Sequence, residues 1–211
     1  MASCLVGSEM CIRDSTMTLN GNSYSPQTPE HAISAGVFMC PKDRASNAVV
    51  SEFDISNNLA LPFFKSHSRF SFIRKKSLTQ NARNSINELG IVCQSEMDSV
   101  TTLSGGNQQK VMVGRWLAED SSVLLLDEPF QGVDIKARRD IGHQIRSTSR
   151  QRATIIFVAE LDEALEIADR VIVLHEGNLV GDYQNKSKNI PKIVSSFSGS
   201  ANNLDSANYG T

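Results

Sequence analysis

The sequence predicts an α/β protein built on a parallel sheet, and three observations carry that prediction. Short, near-continuous apolar runs stand at Val37 to Cys40, Val123 to Leu126, Thr154 to Val158 and Val171 to Leu174. Segments of helical period separate them, and strand–helix alternation of this kind indicates layered α/β architecture. The run Thr154-Ile155-Ile156-Phe157-Val158 has the unbroken apolar character of a strand buried on both faces.

Composition narrows the function classes. The 211 residues suffice for one ordinary domain with a sizeable core. A formal net charge of −2 makes no electrostatic case for nucleic acid or an anionic membrane surface. No apolar run has the length of a transmembrane helix, so a membrane role would run through partners. The four cysteines, Cys4, Cys11, Cys40 and Cys93, lack metal-ligand spacing and are too few for a disulfide scaffold. They are expected to be reduced.

The chemistry concentrates between Leu103 and Asp134. Leu103-Ser104-Gly105-Gly106-Asn107-Gln108 is a small polar turn running into a helical pattern, in which Val111, Trp116 and Leu117 recur with Gln109, Lys110 and Arg115 between them. Glycines admit a ligand close to the backbone, the N–H groups opening a helix favour an anion, and Ser104 adds a hydroxyl. An ordinary N-cap at Ser104 explains the same residues. Further on, Val123 to Leu126 ends in Asp127-Glu128-Pro129. An extended tip would place Asp127 and Glu128 on alternate faces, one able to hold Mg²⁺ and the other to polarise an attacking water. A strand ending in two solvated acids is the plainer alternative.

Together these motifs resemble those of ABC transporter ATPases. LSGGNQQKV is similar to the ABC signature in the variant of bacterial monosaccharide importers, VLLLDEP to their Walker B strand, and Gln131-Gly132-Val133-Asp134 to the D-loop. The resemblance implies a P-loop NTPase core with a helical subdomain, and ATP and Mg²⁺ as cofactors. It implies that Ser104, Gly105, Gly106 and Gln108 contact ATP held by an opposite ATPase domain. Asp127 would sit near the metal, Glu128 would be the general base, and Asp134 would link the two sites. A second ATPase domain, fused or in trans, transmembrane permease subunits and, indirectly, a periplasmic sugar-binding protein are the implied partners, at the cytoplasmic face of the inner membrane. Nucleic acid is not among them.

Taken in order, residues 1–15 show no period, and Cys4 to Ser15 resembles the in-frame translation of a transposon-type sequencing adapter, to be set aside from the fold. No glycine is followed by lysine, so the chain holds no GxxxxGK[ST] phosphate loop, and the expectation is a domain lacking its Walker A portion. Residues 16–50 are expected to be the core remnant after that loop. Asn20-Gly21-Asn22 marks a turn, Ser25-Pro26-Gln27-Thr28-Pro29 opens a helix through Ala35, and Gly36 stops it. Lys42, in Pro41-Lys42-Asp43-Arg44, stands where the wider family places a metal-contacting Gln, and a charged lysine cannot ligate Mg²⁺.

Residues 51–103 are expected to form the helical subdomain, with Ile55-Ser56-Asn57-Asn58-Leu59 opening it and an amphipathic helix from Leu78 to Leu89 ended by Gly90. Between these, Arg69, Arg74, Lys75 and Lys76 mix with Phe63, Phe64, Phe70 and Phe72. A loop with aromatics packed beneath it ranks first there, ahead of a membrane-subunit contact and of single-stranded nucleic acid. Residues 104–184 are expected to be the catalytic core, with Lys136 to Arg150 a charged surface helix, Leu161 to Ala168 a helix, and His175-Glu176-Gly177-Asn178 a turn. Ala159 occupies the place of the family's γ-phosphate-contacting His and has no donor. His175 lies past the next strand and offers no substitute. Residues 185–211 are expected to be disordered, apart from a helical turn at Lys192-Ile193-Val194.

Two readings follow. One is an ATP-hydrolysing importer subunit, of which this is the second ATPase domain, with its own ATP site weakened by Lys42 and Ala159. The alternative is a catalytically inactive ABC-type module that completes or regulates another ATPase site.

Overall fold

A computed structural model describes residues 16–42, 49–64, 68–69, 72–73 and 75–198. The adapter-like residues 1–15, Asp43 and Arg44, His67, the side chains of Arg69, Phe70, Phe72 and Arg74, and residues 199–211 lie outside that description. The chain divides into two compact units, Met1–Phe157 and Val158–Thr211.

The first unit opens with an antiparallel hairpin of β1 (Thr18–Leu19) and β2 (Asn22–Ser23). Asn20 and Gly21 hold φ of 52° and 79°, the mirror-image turn that Asn-Gly favours between twisted strands. Helix α1 (Pro29–Ser34) starts at Thr28, whose side chain accepts from the His31 N–H. It stops before Gly36, at φ +76°, where a Cβ would stand 3.1 Å from Ser122 Oγ. Ser122 donates its N–H to the Gly36 carbonyl at 2.8 Å, and strand β3 (Val37–Cys40) follows.

The next stretch is helical. Asp54 caps α2 (Ile55–Ala60) through the Asn57 N–H at 2.7 Å. A short hairpin, β4 (Ser68–Arg69) with β5 (Phe72–Ile73), precedes α3 (Lys75–Leu89). Leu78, Ala82, Ser85 and Leu89 form the buried stripe of α3, and Gly90 ends it at φ +58°. Ile55, Leu59, Ala82, Leu89, Ile91, Val100, Leu103 and Val111 close one apolar core. Phe63 is buried too, its ring 5.1 Å from Phe38 and 6.0 Å from Trp116.

Helix α4 (Gly105–Leu117) is buried along one continuous run, Gln109 to Arg115. Val111-Met112-Val113 cover more than half the helix circumference and the buried run from Gln109 to Arg115 covers the rest, so this helix is enclosed rather than laid on a surface. Strand β6 (Val123–Asp127) follows, then α5 (Ile135–Ser147), burying Ala137, Ile141, Gln144 and Ile145 on one face. Strand β7 (Ala153–Phe157) completes a parallel sheet of order β3-β6-β7. Its register sets Met39 beside Leu125 and Leu125 beside Ile155.

Two expectations for this unit need correction. The apolar run of β7 is not buried on both faces: Ile155 and Phe157 are 48% and 49% exposed, because β7 is the outer strand of its sheet and only alternate residues turn inward. The charged helix expected through Arg150 ends at Ser147, where Thr148 Oγ1 bonds back to the Gln144 carbonyl, and a separate 3-10 turn spans Ser149–Gln151.

In the second unit, α6 (Leu161–Ile167) leads into β8 (Arg170–His175) and β9 (Asn178–Gln184), an antiparallel pair turned at Glu176 and Gly177 with φ of 49° and 78°. Strand β9 has no counterpart among the sequence-based expectations. The expected disorder from residue 185 is also overturned as far as Ser198. A 3-10 turn (Ser187–Asn189) and α7 (Ile190–Phe197) occupy the segment, and fully buried Ile193 packs with Val171 and Val173. Tyr183 Oη and Ser196 Oγ, 2.8 Å apart, tie β9 to α7.

Candidate functional site

The glycine turn is set by its own polar residues. Ser104 holds extended backbone angles at the N-cap of α4, and its Oγ accepts from the Asn107 N–H at 3.4 Å and Asn107 Nδ2 at 3.1 Å. Asn107 Oδ1 in turn accepts from the Val92 N–H at 3.1 Å, so the turn is anchored to the segment after α3. Gln108 donates through Nε2 to the Leu103 carbonyl at 3.1 Å, which holds the loop entering the turn. Ser104 is exposed, and Gly105 and Gly106 are partly exposed, at the N-terminus of a 13-residue helix. A Cβ at Gly106 would stand 3.4 Å from Ala137 Cβ on α5, an ordinary contact. Capping uses both lone pairs of Ser104 Oγ and leaves its hydroxyl hydrogen available to donate.

The acidic pair differs from the expected extended tip. Asp127 is the last residue of β6, but Glu128 turns out of the strand at φ +48°, a left-handed conformation that glutamate rarely adopts. Strand geometry therefore does not set the two carboxylates on alternate faces. The Glu128 N–H donates to the Phe157 carbonyl at 2.9 Å, and its own carbonyl accepts from the Gln131 N–H at 3.1 Å. Both acids are partly buried, Pro129 and Phe130 after them are buried, and Gln131 and Gly132 are exposed. Asp134 then caps α5, its Oδ1 accepting from the Ala137 N–H at 2.8 Å. The structure thus brings Ser104, Gly105, Gly106 and Asp134 to the N-termini of two packed helices, and Asp127 and Glu128 to the tip of the central strand.

The three polar residues between the recurring apolar positions of α4 are buried. Gln109 Nε2 donates to the Pro129 carbonyl at 2.8 Å. Lys110 Nζ reaches the Gly90 carbonyl at 3.0 Å and Asp140 Oδ2 at 2.6 Å. Arg115 Nε donates to the Asn58 carbonyl at 2.6 Å and Nη2 to Asn58 Oδ1 at 3.2 Å. Burial lowers the Arg115 guanidinium from 12.5 to about 10, partly offset by the adjacent Cys40. Burial likewise pushes the Cys40 thiol from 9.0 up to about 12, with Arg115 pulling down and Asp127 pushing up. The uniform burial of α4, signalled by Val111-Met112-Val113, is what could have revealed these residues from sequence.

Lys42 is exposed just beyond β3, and Ala159 is exposed two residues past β7. His175 ends β8 and faces solvent. Among the described residues no group of three or more His, Cys, Asp or Glu side chains could hold a metal. No helix among the described residues is long and apolar enough to cross a membrane.

This arrangement, a parallel sheet whose central strand ends at Asp127 with Glu128 in the turn beyond it, and a glycine-opened helix packed beside it, is that of an α/β domain. A family model described as ABC transporter matches residues 1–131, and the chain belongs to that family. Among curated relatives it is 32% identical over 195 residues to the xylose import ATP-binding protein XylG of Thermoanaerobacter pseudethanolicus, covering 92% of this chain and 39% of that protein. It is 33% identical over 180 residues to the ribose import ATP-binding protein RbsA 2 of Rubrobacter xylanophilus, covering 85% and 35%. Identity is 37% over 166 residues to the arabinose import ATP-binding protein AraG of Chromohalobacter salexigens, covering 78% and 33%. The chain thus spans less than two fifths of the length of these relatives. A solved dimeric ATP-binding cassette, MJ0796 in a post-hydrolysis state with ADP and phosphate, matches with a TM-score of 0.67 at 14% identity, over 82% of this chain and 74% of that one. That likeness establishes the ABC ATPase fold.

Proposed function

We propose that this chain is part of the ATP-hydrolysing subunit of a bacterial monosaccharide ABC importer, and that its signature turn serves an ATP site completed by a second ATPase domain. The observation that carries the reading is the Ser104-Gly105-Gly106 turn at the head of a 13-residue helix, Ser104 exposed and the two glycines partly so, with no side chain at Gly106 to block a phosphate. The names of the xylose, ribose and arabinose import relatives supply the transport class.

In this reading Ser104, Gly105 and Gly106 bind phosphate oxygens through the hydroxyl and the helix-opening N–H groups. Gln108 steadies the turn from beneath, through its bond to Leu103. Asp127 would hold Mg²⁺, which when bound neutralises developing charge on the phosphoryl oxygens. The Glu128 carboxylate accepts the proton of the attacking water. Asp134 lies beside the partner domain's site. The partners are a second ATPase domain and transmembrane permease subunits, with a periplasmic sugar-binding protein upstream, which puts the chain at the cytoplasmic face of the inner membrane.

The domain's own site is the weaker of the two. Lys42 cannot ligate a metal as a glutamine carbonyl does, and Ala159 offers no donor to a γ-phosphate. The test is sugar uptake by the importer carrying Ser104→Arg or Glu128→Gln. Ser104→Arg is expected to abolish uptake, and Glu128→Gln to leave a measurable fraction. Equal, complete loss in both would defeat the asymmetry. Full uptake with Ser104→Arg would defeat the proposed function itself. An inactive partner module, the alternative, predicts wild-type uptake for Glu128→Gln.

A further inference from the structure

We infer that Gln109 is a positioning residue that fastens the glycine-turn helix to the turn holding Glu128, so that the two move as one body within the domain. The inference rests on the proposed role of Glu128 and deepens it.

The side chain of Gln109 is 1% exposed and donates through Nε2 to the carbonyl of Pro129, the residue directly after Glu128. Glu128 sits at φ +48°, an unfavourable conformation that persists only where its surroundings hold it. Three hydrogen bonds surround it: its N–H to Phe157 on β7, its carbonyl from the Gln131 N–H, and the Pro129 carbonyl from Gln109. The first two are main-chain bonds, available to any residue at those positions. The third depends on one side chain, and that side chain comes from α4, five residues after Ser104. Displacement of the Ser104 turn by a ligand therefore pulls on the Glu128 turn through Gln109. In an assembly where the turn and Glu128 serve different ATP sites, this bond links one site to the other inside a single domain.

The bond has a direction, and a substitution can remove its donor. Gln109→Leu replaces the amide with an apolar group and leaves the Pro129 carbonyl without it. Gln109→Met keeps the volume and removes the donor.

The test is residue-resolved amide hydrogen exchange on the 211-residue chain without nucleotide. In either variant the Glu128 and Gln131 N–H groups are expected to exchange at least tenfold faster, while Leu124 to Leu126 in β6 keep wild-type protection. A merely structural role would move all of these amides together, and that result overturns the inference. So does unchanged exchange at Glu128 and Gln131. Should both variants fail to fold, the wild-type chain decides: the Gln109 side-chain amide hydrogens must exchange well below the rate of free glutamine, and free-rate exchange overturns the inference. Because no nucleotide enters, these outcomes stand apart from the uptake test of the proposed function.

Discussion

Lys110 Nζ lies 2.6 Å from Asp140 Oδ2, joining α4 to α5, and the same ammonium donates to the Gly90 carbonyl at the end of α3. One side chain, 5% exposed, therefore holds three helices around the glycine turn. Lysine fits the task because its three donors can serve a carboxylate and a carbonyl from a single buried point.

Asp140→Ala should then cost more than Lys110→Met. Removing the carboxylate leaves the Lys110 ammonium, 5% exposed, without its counter-ion, and breaking a buried pair this way costs about 3 kcal/mol. Lys110→Met leaves Asp140, a third exposed, and the carbonyl of the exposed Gly90, both open to water, and is expected to cost about 1 kcal/mol. Urea unfolding of both variants and of the double variant measures the two costs and their coupling. Equal costs with no coupling would show that the contact contributes nothing specific.

Asp134 carries two roles that substitution can separate. As the cap of α5 it is replaceable by Asn, whereas Asp134→Ala should lower stability by about 1 kcal/mol. In its proposed place beside the partner domain's ATP site it needs its charge, so Asp134→Asn should depress uptake nearly as far as Asp134→Ala. Thermal unfolding and uptake measured side by side check both. Wild-type uptake in Asp134→Asn would leave the residue as a helix cap alone.

The sequence made most local structure legible because its punctuation is strong. Asn20-Gly21, Gly36 and Gly90 sit at positive φ where turns and helix ends were expected, and Val37 to Cys40 is a strand with the expected limits. Glu128 was not legible, since a glutamate at φ +48° is held by Phe157 and Gln109 from elsewhere in the chain. The burial of Lys110 and Arg115 was hidden for the same reason: their partners, Asp140 and Asn58, stand 30 and 57 residues away. Strand β9 escaped because Leu179 and Val180 are both exposed, which blurs its period-two pattern. Helix α7 escaped because its short apolar face lies in a segment rich in Ser, Asn and Lys.

Gly114 is where α4 meets α3 most closely. A Cβ there would lie 2.5 Å from Leu89 Cδ1 and 3.4 Å from Leu59 Cδ2. Leu89 is 2% exposed, so its side chain must shift within the packed core to admit the methyl. Gly114→Ala gains about 1 kcal/mol of helix propensity but overpacks the core, which typically costs about 1–3 kcal/mol. A net loss is expected, and it should shrink or reverse in a Leu89→Ala background. Denaturant midpoints for the single and double variants decide. A Gly114→Ala chain as stable as wild type would mean that α3 and α4 separate more easily than their packing implies.

Cys40 supplies the pH dependence. Burial raises its thiol from 9.0 to about 12 in the folded chain, so the unfolded chain ionises first as pH rises. By linkage the folded state then binds more protons than the unfolded state, and stability falls as pH climbs from 9 toward about 12. Arg115 acts in the opposite sense. Burial lowers its folded value to about 10 from 12.5, so above pH 10 folding gains as this cation discharges more easily in the folded chain. The window in which Cys40 acts nearly alone is therefore pH 8 to 10. Over it, wild type should lose about 1 kcal/mol relative to Cys40→Ala. Cys93 and Tyr24 are shifted upward too, but they are present in both proteins and cancel in the comparison. Urea unfolding at pH 8, 9 and 10 gives the two slopes. Parallel slopes would show that the thiol reaches water or a compensating donor, and that the packing around β3 is looser than its complete burial indicates.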